Sequence, residues 1–308
     1  MKYIALITLT VTVTACSQPS DTVETHGATQ VDHVISVNMT YDRPMPHDAT
    51  AITAVPNNVA PWVSSLFILD EEGQLLRGGL ETGDFKPIAS NIQEIKPLAR
   101  KNASGIIMAR TADSIAAYIE INEEGDYKDI PFVKTPQNIS GFCETKDLYE
   151  QRIYGHDTRE IFALEVISPT ANGRVEAVKI ESTPTVKGNC MLSVEGNNVE
   201  LIPSPKHAIQ TALLNQNMLI FTTNESKERP RLFMQQDNVV TAIDITGGLT
   251  TIAPTQIDSF SIIHNNLGGV LRNGAILITD NASERVIYLS LDLLNRRLAE
   301  ANSLSDQQ

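Results

Sequence analysis

Across residues 51–295 the chain is a succession of short aliphatic and β-branched runs separated by clusters of Asn, Asp, Glu, Gly and Ser. Such alternation at close intervals marks an all-β domain. Three segments can be laid over one another: 105–126, 217–238 and 274–292 each read as apolar run, polar turn, apolar run. Segments 65–76 and 152–166 are fainter copies. Two strands flanking a tight polar turn, repeated along the chain, form the central hairpin of a propeller blade. The 245 residues of 51–295 divide into six blades of about 41 residues, the favoured count, or five of about 49; both lie near the usual ~40–50. A β-sandwich or barrel with coincidental hairpins is the competing all-β arrangement. The period changes at the end, where Leu291, Leu294 and Leu298 recur at helical spacing and predict a short C-terminal helix capping the domain, with 296–308 as a helical or disordered tail.

The first residues follow a different pattern. One Lys precedes an apolar stretch from Tyr3 to Val13, and Val13-Thr14-Ala15 leads into Cys16. Small residues before a Cys at the end of an apolar run match a bacterial lipoprotein cleavage site, an ordinary signal peptide being the alternative. The expectation is a signal peptide over 1–15, an acylated Cys16 and a polar tether over 16–50. Ser17 after the Cys favours the outer membrane of a bacterial envelope. Beyond this stretch no apolar run reaches membrane-spanning length.

Charge narrows the partners. There are 24 Lys and Arg against 37 Asp and Glu, a net charge of −13, and no basic cluster of the kind that neutralises nucleic-acid phosphates. Cys16 aside, two cysteines remain, Cys143 and Cys190. In an oxidising compartment this pair predicts a disulfide, the alternative being two buried thiols. Neither has a second Cys or a His at metal-ligand spacing. No Gly-rich phosphate loop, G-x-S-x-G, H-E-x-x-H or EF-hand loop is present. The acidic groups Asp70-Glu71-Glu72 and Glu123-Glu124-Gly125-Asp126, and the basic Lys227-Glu228-Arg229, sit on expected turns.

Read in order, these segments resemble the β-propeller phytases, calcium-dependent enzymes that remove phosphate from inositol hexakisphosphate, and especially the degenerate amino-terminal domains of two-domain members. The motifs are NNVAPWV (57–63), GIIMARTADSIAAYIEINEEG (105–125), ISGFC (139–143) with REIFALEV (159–166), VKGNCMLSVEGNNVELI (186–202) and LGGVLRNGAILITDN (267–281). The resemblance implies a calcium and phosphate site on one propeller face. Of the expected residue types it retains Arg110, Asp258 and Asp280 as ligand candidates, with Asp258 and Asp280 for metal. His156 falls near a family Lys. Where the family carries carboxylates, this chain has Asn57-Asn58, Lys187-Gly188-Asn189, Leu192-Ser193 and Ser204-Pro205-Lys206. Calcium affinity follows the number of charged oxygen ligands, so any calcium would bind weakly, and phytase activity is expected to be weak or absent. The alternative is a non-catalytic surface module that binds a ligand or a partner propeller.

Overall fold

The computed structural model describes residues 25–26, 29–46, 48–57, 60–98, 106–113, 115–120, 127–131, 139–145, 152–157, 159–167, 174–180, 190–195, 198–201, 209–214, 217–223, 230–236, 239–248 and 251–305. Cys16, Asn58, Lys187-Gly188-Asn189, Ser204-Pro205-Lys206, the acidic group at 123–126 and the basic group at 227–229 lie outside the described residues.

Two short strands, β1 (Thr25–His26) and β2 (Thr29–Gln30), pair with each other and are followed by β3 (His33–Asn38) and β4 (Tyr41–Pro44). The first sheet is an antiparallel meander of β5 (Ala49–Val55), β6 (Ser65–Asp70), β7 (Leu75–Gly79) and β8 (Lys86–Ala89). The second repeats it with β9 (Glu94–Leu98), β10 (Ile106–Arg110), β11 (Ile115–Glu120) and β12 (Tyr127–Pro131). The third has β13 (Gly141–Thr145), β14 (Ile153–His156), β15 (Ile161–Ile167) and β16 (Arg174–Lys179), and gains the hairpin of β17 (Cys190–Glu195) and β18 (Asn198–Leu201). The fourth comprises β19 (Ile209–Leu214), β20 (Asn217–Thr223), β21 (Arg231–Gln236) and β22 (Val239–Thr246). The fifth comprises β23 (Ser259–Ile263), β24 (Ala275–Asp280) and β25 (Arg285–Ser290), and α1 (Leu291–Ser305) follows directly.

The first strands of the sheets touch in cyclic order: β5 with β9, β9 with β13, β13 with β19, β19 with β23, and β23 with β5. That closed ring is a β-propeller. All five hairpins read from the sequence are second-and-third-strand hairpins, one from each sheet. The six-blade count is therefore corrected to five full sheets among the described residues. The remaining length goes into the β17–β18 hairpin, which hydrogen-bonds in parallel to β13 instead of building its own blade.

Packing explains why the second strands read as continuous apolar runs rather than as alternating ones. Each blade is covered on both faces by its neighbours, so β24 is buried at every position. Apolar clusters fill the spaces between first and second sheets (Phe67, Leu69, Ile95, Ile107), second and third (Met108, Ile139, Phe142, Leu164), fourth and fifth (Phe221, Leu232, Ile276, Ile287), and fifth and first (Ile52, Ile68, Leu277, Tyr288).

Part of the span 16–50, expected as a tether, belongs to the fold. Ile35 and Val37 are buried in the cluster between fourth and fifth sheets. β3 adds in parallel to the edge of β22, and β4 pairs antiparallel with β25 as the fourth strand of the last sheet. The start of the chain thus covers two sheet edges that would otherwise expose unpaired backbone. The signal for this lay 208 positions away, in the unpaired edge that Val34-Ile35-Ser36-Val37 fits. α1 packs on β3 with Leu291 and Leu294 fully buried.

Candidate functional site

Strand direction alternates within each meander, so all first strands begin on one face of the ring. That entry face also carries the turns between second and third strands; the opposite face carries the turns between first and second and between third and fourth. On the entry side, a pocket of about 460 Å³ sits on the ring axis. Every first strand contributes to its wall: Thr50 from β5, Glu94 and Lys96 from β9, Phe142 and Glu144 from β13, Gln210 from β19, and Ser259 and Ser261 from β23.

Two ion pairs order the pocket. Lys96 Nζ donates to Glu144 Oε1, to which Gln210 Nε2 also donates at 3.1 Å. Burial pushes the Lys96 ammonium down to about 8, while the neighbouring Glu94 carboxylate acts to raise it. Glu94 is the second hub: it accepts from Arg110 Nε at 3.2 Å and from the Phe142 backbone N–H at 3.1 Å. Arg110 Nη1 also donates to Gln93 Oε1 at 2.5 Å. His156 joins from β14. A Cβ on Gly141 would come within 2.9 Å of His156 Nε2 and 3.5 Å of Glu94 Oε2, so the missing side chain lets imidazole and carboxylate approach one another. His156 Nδ1 lies 3.0 Å from the carbonyl oxygen of Asp157; an N–H there places the Nε2 lone pair toward the pocket.

The residues suggested by the phytase resemblance separate into three places. Arg110 and His156 converge on Glu94 at the axial pocket. Asp258 and Asp280 share the entry face but form a turn network at the fifth sheet. Asp280, fully buried, accepts from Thr255 Oγ1 at 2.6 Å, Thr255 N at 3.0 Å, and Arg285 Nη2 at 3.0 Å. Burial acts to raise its pKa, yet the hydrogen bonds from Thr255, Arg285 and Ser283 hold its carboxyl below the ordinary value. Asp258 accepts from Gln256 Nε2 and from the Asn281 backbone N–H, both at 2.8 Å. Both carboxylates are thus occupied by protein donors. Asn57 lies past the end of β5, on the opposite face, where its Oδ1 accepts from Ala60 N at 2.9 Å. Among the described residues no three His, Cys, Asp or Glu side chains gather as a metal-binding group.

Cys143 and Cys190 form the predicted disulfide, with Cα atoms 4.6 Å apart, as directly paired positions of β13 and β17. The bridge lies at the wall of the pocket, which Cys190 lines. Glu94, Lys96, Glu144 and Gln210 were not singled out from the sequence. Their signal is faint: Lys96 and Glu144 are isolated charges of opposite sign on two first strands, 48 positions apart.

No protein-family model matches the chain, and no curated protein does. Solved structures do. The crystal structure of BBS1N in complex with ARL6DN is 8% identical, aligning over 83% of this chain and 97% of that one with a TM-score of 0.50. An auxiliary nutrient binding protein from Bacteroides thetaiotaomicron is 7% identical over 80% of this chain and 69% of its own, with a TM-score of 0.34. For the N-terminal domain of Nup159 the values are 10%, 73% and 62%, with a TM-score of 0.29, so this chain spans less than two thirds of it. At these identities the likeness concerns the fold alone, and the chain is a β-propeller whose candidate site is the axial pocket.

Proposed function

We propose that this protein is a non-catalytic binding module that takes a small, neutral, hydroxyl-rich molecule such as a sugar or polyol into the axial pocket. One observation carries the reading: the charged groups there are already paired with each other, Lys96 with Glu144 and Arg110 with Glu94. A ligand bearing net charge would enter without a free counter-ion, which is costly in a partly dry site. Hydroxyls of Thr50, Ser140, Ser259 and Ser261, the Gln210 amide and the His156 ring supply donors and acceptors suited to an uncharged polar ligand. The volume is within the ordinary range for small-ligand sites.

The phytase resemblance supports a competing reading, phosphate release from inositol phosphates with calcium. Against it stand the pairing of Arg110 with Glu94 and of Asp280 with Arg285, which already balance the charge that a phosphate or an ion would seek. A thermal-shift panel separates the two. Neutral glucose, trehalose and myo-inositol should raise the melting temperature, and glucose 6-phosphate or inositol hexakisphosphate should not. Stabilisation by the hexakisphosphate only when calcium is present would overturn the binding reading in favour of the phytase one. We further propose that acylated Cys16 holds the module on a bacterial membrane, displayed from the cell envelope.

A further inference from the structure

The face opposite the pocket carries exposed apolar side chains where a ring of charged turns would be expected. Trp62 is 59% exposed in the turn between β5 and β6, and Val270 is 62% exposed in the corresponding turn between β23 and β24. These turns belong to adjacent blades and touch. Gly268 has a φ of +88°, and a Cβ there would lie 3.2 Å from the Trp62 backbone nitrogen. Only glycine lets the second turn seat so closely under the first, and the seating raises both apolar side chains on one surface. Val239, 44% exposed, opens β22 on the same face in the next blade. Exposed aliphatics scattered singly need no explanation; an exposed Trp and an exposed Val on two touching turns do.

We infer that this surface rests on a lipid bilayer, with the pocket mouth directed away from it. The inference rests on the anchor proposed above, and chain geometry connects the two. Asp32 N donates to Val240 O, so the chain enters the fold beside the start of β22, on the Trp62 face. Cys16 lies sixteen positions before Asp32, and that many residues reach at most about 55 Å, so an anchor at Cys16 keeps the entry point of the chain close to the membrane. An acylated Cys16 would hold the face near the membrane at high effective concentration, where a weak apolar contact suffices. Trp is suited to the interface, with an apolar ring and an N–H for the headgroups. Nearby charge selects the lipid: Glu81, Asp84 and Asp292 outnumber Lys86 and Arg272 on this face, which favours zwitterionic over anionic headgroups.

Trp62 is the only tryptophan in the chain, so its fluorescence reports this surface alone. The test uses the acylated full-length product on vesicles of phosphatidylcholine and phosphatidylethanolamine, with mass spectrometry of the Cys16 peptide. The expected result is a blue-shifted Trp62 emission, protected from acrylamide and quenched by brominated acyl chains. Val270→Ser should reduce that quenching, and replacing half the lipid with phosphatidylglycerol should weaken it. An acylated, vesicle-bound protein whose Trp62 stays open to acrylamide would overturn the surface while leaving the anchor intact. A Cys16 without an acyl group would overturn both. A blue shift that grows with protein concentration without vesicles would assign the patch to a second copy of the chain and overturn the bilayer.

Discussion

The ring is held differently on its two sides. Where the fourth, fifth and first sheets meet, closure is non-covalent. The two largest apolar clusters lie there, β3 and β4 cover the edges of β22 and β25, and α1 packs over the outside. Arg285 ties the seam together by donating at once to Asp280 and to Asp42 of β4. On the far side, between the third and fourth sheets, no cluster joins the two sheets among the described residues. The apolar face of the third sheet is covered instead by Cys190, Leu192 and Val194 of the β17–β18 hairpin, and that hairpin is fastened by a disulfide. This propeller closes by apolar burial where the fourth, fifth and first sheets meet, and adds a covalent link where the β17–β18 hairpin extends the third sheet. The axial pocket is open to both regimes, because its wall draws on all five sheets.

Several changes would break or sharpen this contrast. The largest effect should come from the covalent side: Cys143→Ser with Cys190→Ser frees a 47-residue separation, for which the chain-entropy model gives about 4 kcal/mol of lost stability, measurable by urea unfolding with and without reductant. An insensitive midpoint would mean that the hairpin is held by packing alone. Next is Asp280→Asn on the seam. It leaves Arg285, whose side chain is 12% exposed, with Asp42 as its remaining carboxylate, and should cost roughly 3 kcal/mol, as removal of one partner of a buried pair does. Hydrogen exchange should then speed up in β4 more than in β13. Leu294→Ala, at a fully buried position of α1, should cost about 2–3 kcal/mol through lost burial and the cavity left behind, again loosening β3 rather than the pocket.

The smallest effect is acid-dependent and belongs to the seam. His264 follows β23, its buried Nε2 has no hydrogen-bond partner among the described residues, and burial pushes its pKa below 6.5. The unfolded chain therefore takes up this proton more readily than the folded one. The stabilising contribution is complete above pH 6.5 and is lost as pH falls toward the lowered folded value. His264→Leu should flatten that part of the stability curve while the reduced disulfide variant retains it. An unchanged acid slope would show that another group titrates there.

What the sequence made legible follows the range of the interaction. The five central hairpins were readable because each is local, with a turn of a few residues between two apolar runs. The C-terminal helix was readable for the same reason. The disulfide was readable from the two cysteines that remain once Cys16 is set aside. β3 and β4 were not, since the polar residues around them look like linker and their partners in β22 and β25 come about 200–250 positions later. The pocket was least legible: Glu94 and Lys96 of β9, Glu144 of β13 and Gln210 of β19 are scattered over three strands, and only ring closure makes those strands neighbours. Arg110 and His156 were found through the phytase resemblance, whereas Glu94, the carboxylate that pairs with Arg110, was not.

The central claim is that the axial pocket holds a neutral polar ligand beside charges that are paired with one another, Lys96 with Glu144 among them. Calorimetric titration of the disulfide-intact protein with the sugar or polyol that shifts its melting temperature most tests this directly, beside the double variant Lys96→Met with Glu144→Gln, which removes both charges together and leaves neither stranded. With hydrogen bonds to charged groups contributing about 1.5–3 kcal/mol, the account predicts a loss of affinity of at least about tenfold in the double variant, with β-sheet circular dichroism unchanged. Equal affinity in the two proteins would contradict it and place the ligand elsewhere on the ring.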